Sequence, residues 1–166
     1  MNPTASGYIG LQIALHWTTA MLVLFRLIFG DSMTNYVDAA AQGRQLPQFE
    51  HTIGSAHYWV GLTILFLVIV RLTVRLVNGP HRLDGSRPGL MVYAARALHV
   101  LFYVLLVGVP VSGLLAFYVW DWMGDIHAWA KPVLIVLICV HGGAALFHHF
   151  VLKDGVLGRI LVPARD

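Results

Sequence analysis

The segment His141-Gly-Gly-Ala-Ala-Leu-Phe-His148-His149-Phe150 sets three imidazoles in one of the most apolar regions of the chain. Imidazole binds metals and moves protons, so the position of each histidine decides which chemistry is open to it. Seven of the nine, His16, His57, His99, His127, His141, His148 and His149, lie in or at the ends of apolar runs. Ionisable groups are costly there and mark functional positions. His127 and His141 are fourteen residues apart. In a helix that spacing is ~21 Å along the axis, and fourteen steps of ~100° return to within ~40° of the starting direction. One helix then offers two ligands, at two depths, on nearly one face.

The elements that must position them follow from composition. The chain is 58% hydrophobic and 11% charged, with a mean hydropathy of +0.72, which makes bilayer, not water, the solvent for most of it. Four runs, roughly Ile9 to Phe29, His57 to Val77, Met91 to Tyr118 and Ile126 to Leu152, approach or exceed the ~20 residues that a spanning helix needs. Turn formers separate them: Gly30-Asp31, Pro47, Asn78-Gly79-Pro80, Arg87-Pro88-Gly89 and the stretch Trp120 to Asp125. The expectation is an all-α membrane protein, residues 1–166 forming a single four-transmembrane-helix bundle. Ala39-Ala40-Ala41 raises a signal-peptidase site, but the start has no basic region and lies far from it, so the first span is read as retained.

Basic residues set the orientation. Arg71, Arg75, Arg82, Arg87, Arg96, Lys153, Arg159 and Arg165 fall towards one side, against Arg26, Arg44 and Lys131 on the other. The positive-inside rule places both termini and the second loop in the cytoplasm. The acids lean outward, with Asp31, Asp38, Glu50, Asp121 and Asp125 on the outer side and Asp84, Asp154 and Asp166 on the inner. Topology thus accounts for the net positive charge, and nothing supports a nucleic-acid partner. Cys139 is the single cysteine, which excludes a disulfide framework, a thiolate metal cluster and covalent c-type haem.

Depth then pairs the histidines. His16 and His141 lie comparable distances from the inner ends of the first and fourth spans, while His57 opens the second span and His127 opens the fourth. Two His/His pairs stacked across a membrane are the ligand set for two b-type haems with bis-imidazole coordination. Gly61, one turn after His57, and Gly142 and Gly143 leave helix surface bare where a flat macrocycle would lie. Arg71, fourteen residues after His57, shares its face and reaches the inner level, where a cation would pair with haem propionates. A histidine-lined metal or proton carrier is the non-redox alternative. It is disfavoured because the histidines lack zinc-site spacing and the spans hold almost no carboxylate away from their ends. Helix-to-helix hydrogen bonding suits a lone histidine better than four at two matched depths.

The segments Leu15-His16-Trp17, His57-Tyr-Trp-Val-Gly61 with Arg71-x-x-x-Arg75, Ala95-x-x-x-His99-x-x-x-Tyr103 with Pro110-x-x-Gly113, and the tail from His127 through His141 and His148 to Lys153-Asp154 resemble the bacterial cytochrome b561 family. The resemblance covers the chain apart from the outer loops. It implies a bundle enclosing two non-covalent haems b in the bacterial inner membrane, with ligands falling on His16, His57, His127 and His141, and electron exchange with the quinone pool. It also implies superoxide as the leading outer donor, oxidised to oxygen as ubiquinone is reduced. The loop from Trp120 to Asp125 is shorter than in the superoxide-oxidising members, and the outer side is slightly acidic, so an anion would not be steered to it. The second reading is a membrane-anchor cytochrome b subunit that links a periplasmic redox protein or dehydrogenase to quinone.

Within that reading His148, seven residues after His141 and nearly on its face, sits ~10 Å nearer the cytoplasm. It suits hydrogen bonding to a quinone carbonyl and proton relay, with His99 entering the third span at a similar level to assist. Trp59, Trp120, Trp122 and Trp129 read as an aromatic belt at the outer boundary. His149 points elsewhere, and His51 and His81, placed in loops, are given no role.

Overall fold

The computed structural model describes residues 10–30, 32–78 and 89–162. The N-terminal lead, the Gly79-Pro80 and Arg87-Pro88 turn signals, His81, and the charges Asp31, Arg82, Asp84, Arg87, Arg165 and Asp166 lie outside these residues. Among the described residues the elements are α1 (Gly10–Phe29), α2 (Ser32–Ala41), α3 (Gln48–Asn78), α4 (Leu90–Tyr118), α5 (Met123–Phe147), a π-helical turn (His148–Leu152) that continues α5, and α6 (Val156–Arg159). α1, α3, α4 and α5 are long and apolar enough to cross a membrane, and they are the four expected spans.

One boundary and one element differ from expectation. α3 begins at Gln48, nine residues before His57, so His57 does not open its helix but stands well inside it. His51 accordingly lies on that helix and not in a loop, with its ring edge-on to Tyr36 at 5.2 Å. The reason is α2, which hydropathy does not reveal. It packs across the polar first turns of α3 and gives them a partner outside the apolar slab. Ala39 is buried there, and Gly54 lets the two backbones approach, since a Cβ at Gly54 would lie 2.6 Å from Cβ of Tyr36. α2 ends in a Schellman closure: Gly43 turns left-handed (φ +62), its N–H donates to Ala40 O at 3.3 Å, and the Arg44 N–H donates to Ala39 O at 2.9 Å. Gly54→Leu is expected to lower the thermal unfolding midpoint in detergent through an overpacking cost of ~1–3 kcal/mol. Gly108→Ala, whose Cβ meets nothing within 4 Å, is the control and leaves the midpoint in place.

The bundle has a narrow waist instead of a continuous core. Val23 of α1 packs with Ile64 and Val68 of α3, and Leu106 and Val107 of α4 and Ile138 of α5 close around them. Large apolar side chains such as Phe66, Val104 and Val136 point outward, as expected where lipid is the solvent. Apolar burial drives little of this assembly, because lipid tails are as apolar as leucine. On either side of the waist the helices part enough to leave histidines facing one another.

Candidate functional site

His57 of α3 and His127 of α5 face each other on one side of the waist, ring centroids 5.9 Å apart. A cavity of about 510 Å³ opens around them, within the ~300–1,000 Å³ of small-molecule and cofactor sites. Gly61 and Pro110 contribute to its wall, and Gly61 leaves open space where a side chain would stand. The His127 ring is held from behind: its Nδ1–H donates to the Val109 carbonyl at 2.8 Å, which leaves Nε2 as the nitrogen open to a ligand. Gly113 makes room for that ring, since a Cβ there would sit 2.9 Å from Cε1 of His127. Nδ1 of His57 is buried without a hydrogen-bond partner among the described residues. Its Nε2 is hydrogen-bonded to the Arg26 guanidinium of α1.

Arg26 was counted in the sequence only as an outer charge, yet it reaches the heart of this cavity. The signal that could have found it is a cation placed before the end of an apolar span, where side chains of that kind line cavities.

Across the waist His16 of α1 and His141 of α5 stand 6.4 Å apart by ring centroid. His99 of α4 joins them at 5.5 Å from His141, so it lies at the level of His141 and deeper than the level expected from its place in α4. Its Nδ1–H donates to Ala95 O at 2.6 Å, and Phe102 abuts the opposite partner, His141, edge-on at 5.4 Å. Nδ1 of His16 is buried and lacks a partner among the described residues. Arg71 of α3 lies near enough to act electrostatically on His16, His99 and His141, and Arg75 stands over the Tyr103 ring at 5.7 Å. A Cβ at Gly142 or Gly143 would meet nothing within 4 Å, so α5 is bare beside His141.

These levels suit one group each. Metal–imidazole bonds are ~2.0–2.1 Å long, so two imidazoles that held one metal between them would have ring centres roughly 6 Å apart. The observed 5.9 and 6.4 Å match that separation. Orphaned ring nitrogens, bare helix at Gly61 and Gly142, and one cation at each level fit a flat, dianionic macrocycle better than a bare ion. Among the described residues no group of three or more His, Cys, Asp or Glu, the His16, His99 and His141 cluster included, is arranged to hold a metal ion. The remaining histidines part company. His148 pairs with Asp154 at the end of α5, while His149 turns its ring to Phe150. Trp120 and Trp122 stack at 6.4 Å beyond the end of α4, and Trp59 and Trp129 face outward.

Four apolar helices that present facing imidazoles at two depths have the architecture of a membrane cytochrome b. A profile of the prokaryotic cytochrome b561 family matches residues 8–162. The chain is 40% identical over 162 residues to cytochrome b562 of Cereibacter sphaeroides, covering 95% of this chain and 96% of that one. It is 26% identical to cytochrome b561 homolog 2 of Escherichia coli K12, over 95% of this chain and 93% of that one. A third relative is a probable superoxide oxidase of Yersinia pestis, 23% identical over 95% of this chain and 97% of that one. The chain belongs to the prokaryotic cytochrome b561 family. It is a multi-pass bacterial membrane electron carrier of the haem b-binding class.

Proposed function

We propose that the protein is a di-haem cytochrome that carries electrons across the bacterial inner membrane from an outer one-electron donor to quinone. The observation that carries this reading is the pair of facing imidazole sets, 5.9 and 6.4 Å apart, on opposite sides of one hydrophobic waist. His57 and His127 hold the outer haem, and His16 and His141 hold the inner one. Haem b at these sites supplies one-electron carriage. The chain's own residues do the rest. Val109 fixes the tautomer of His127, Gly61 leaves room for the ring plane, and Arg26 and Arg71 supply a cation at each level for propionates. Both termini face the cytoplasm, by the distribution of arginine and lysine. Ubiquinone is reduced at the inner side by way of His148, while His99, 5.5 Å from His141, belongs to the inner haem level.

Superoxide is the leading candidate donor, supported by the Yersinia pestis relative named as a probable superoxide oxidase. A periplasmic redox protein or dehydrogenase subunit is the second reading, favoured by the excess of acids on the outer side, which would draw a basic partner and repel an anion. Stopped-flow mixing of the oxidised protein with superoxide separates the two. Reduction of haem absorbance within milliseconds supports superoxide, and an unchanged spectrum leaves the protein donor.

The ring support at His127 gives a further expected result. Gly113→Ala drives a Cβ into the imidazole and off its Val109 acceptor. Loss of such outer-sphere support typically weakens binding by ~10–100-fold. Haem titration of the apoprotein should show that weakening at one site of two, with Gly108→Ala binding as the unsubstituted protein does.

A further inference from the structure

The last span ends in an unusual backbone path. α5 passes at His148 into a π-helical turn, a geometry that is rare and concentrated at functional sites. Lys153 then adopts the left-handed region (φ 51, ψ 36), and it is the single non-glycine residue with positive φ among the described residues. Gly155 follows with φ +73. L side chains seldom adopt this conformation. Its consequence is that the chain doubles back and brings Asp154 against His148, where Oδ2 accepts a hydrogen bond from Nδ1–H of the imidazole. The returning segment is fastened to the bundle: the indole N–H of Trp17, the neighbour of His16, donates to the Ile160 carbonyl at 3.0 Å. Both members of the pair remain partly accessible, at 28% and 36% for their side chains, so water reaches them at the end of the span.

We propose that Asp154 is a positioning residue for proton delivery to quinone, acting through His148. With Nδ1 committed to the carboxylate, the imidazole presents Nε2 as its exchanging nitrogen. This inference rests on the quinone reading given above. Conversion of a quinone to its quinol adds two electrons, delivered singly by the membrane carrier, and two protons, one to each carbonyl oxygen. His148, when protonated, gives its Nε2 proton to the oxygen it faces: the N–H bond breaks as the O–H bond forms, and interfacial water restores the proton to the ring. The second oxygen takes its proton from interfacial water. The π turn and the left-handed Lys153 are the backbone means by which a carboxylate six residues downstream reaches this imidazole.

The test uses the full-length, haem-loaded protein in steady-state turnover, the haems kept reduced by a chemical donor and reoxidised by ubiquinone-1 over a range of concentrations, with quinone reduction followed by absorbance. Asp154→Asn is expected to lower kcat by about 10²-fold, the low end of what a positioned general acid contributes, with KM and the haem spectrum unchanged. Asp154→Glu is expected to recover most of the rate. His148→Gln gives the same loss, and the double variant loses no more than either single one, as coupled residues do. An Asn variant that keeps the unsubstituted kcat, changes KM alone or loses haem absorbance overturns the inference, as does a Glu variant no faster than Asn. Failure of the unsubstituted protein to reoxidise with ubiquinone-1 overturns the quinone reading itself, and so is told apart from failure of the pair.

Discussion

His57→Ala and His127→Ala are each expected to strip the purified protein of one haem and to leave the other in place. The two residues belong to different helices, α3 and α5, and are 70 residues apart in sequence, yet their ring centroids are 5.9 Å apart. Without either imidazole a haem at this level would be held by one histidine alone, and His127→Ala also gives up the ring that Val109 positions. The waist of Val23, Ile64 and Val68 separates this level from that of His16 and His141, so the second site has no packed neighbour disturbed. Distant sites without shared partners behave additively. The two variants should therefore give one and the same residual spectrum. His141→Ala, and His16→Ala combined with His99→Ala, should give the complementary one. Residual spectra that group His57 with His141 instead would sink the pairing.

The second large effect falls on the other level. His141→Ala is expected to abolish quinone reduction while haem reduction from the outer donor persists at the remaining site. His141 is the better choice than His16 because both His16 and His99 face it, at 6.4 and 5.5 Å. In His16→Ala the nearby His99 offers a replacement imidazole, whereas α5 has no second histidine at the depth of His141. Accordingly His16→Ala should retain part of its haem and His16→Ala/His99→Ala should lose it. Steady-state reduction of ubiquinone-1 together with haem content measures both statements. Undiminished quinone reduction by His141→Ala would contradict them.

Much of this arrangement is legible in the sequence because a bilayer leaves the chain few choices. Long apolar runs must be helices, since no other backbone conformation satisfies its own hydrogen bonds in lipid without closing a barrel. A 3.6-residue period then fixes which residues share a face, so the fourteen-residue interval between His127 and His141 predicts two depths before any coordinates are known. The structure brings together the partners that depth matched. What stayed hidden lies where water replaces lipid. α2 has weak hydropathy and is held by close approach at Gly54 to Tyr36, a contact no periodicity reveals. The early start of α3 depends on α2 and was hidden with it. Arg26 shows the same limit within a span: counting charges by side places it in the outer balance, but only the geometry shows its guanidinium at Nε2 of His57. His99 was set too near the water because its partner ring, on α5, cannot be read from α4 alone. The return of Asp154 onto His148 depends on a π turn and a left-handed lysine, neither of which has a dependable sequence signature.

Facing imidazoles at two levels of one bundle imply two haems. A reduced-minus-oxidised absorbance spectrum of the detergent-purified protein, with a pyridine haemochrome assay against protein concentration, tests it most directly. Two haems b per polypeptide are expected. One haem, or none, in a folded protein would contradict it.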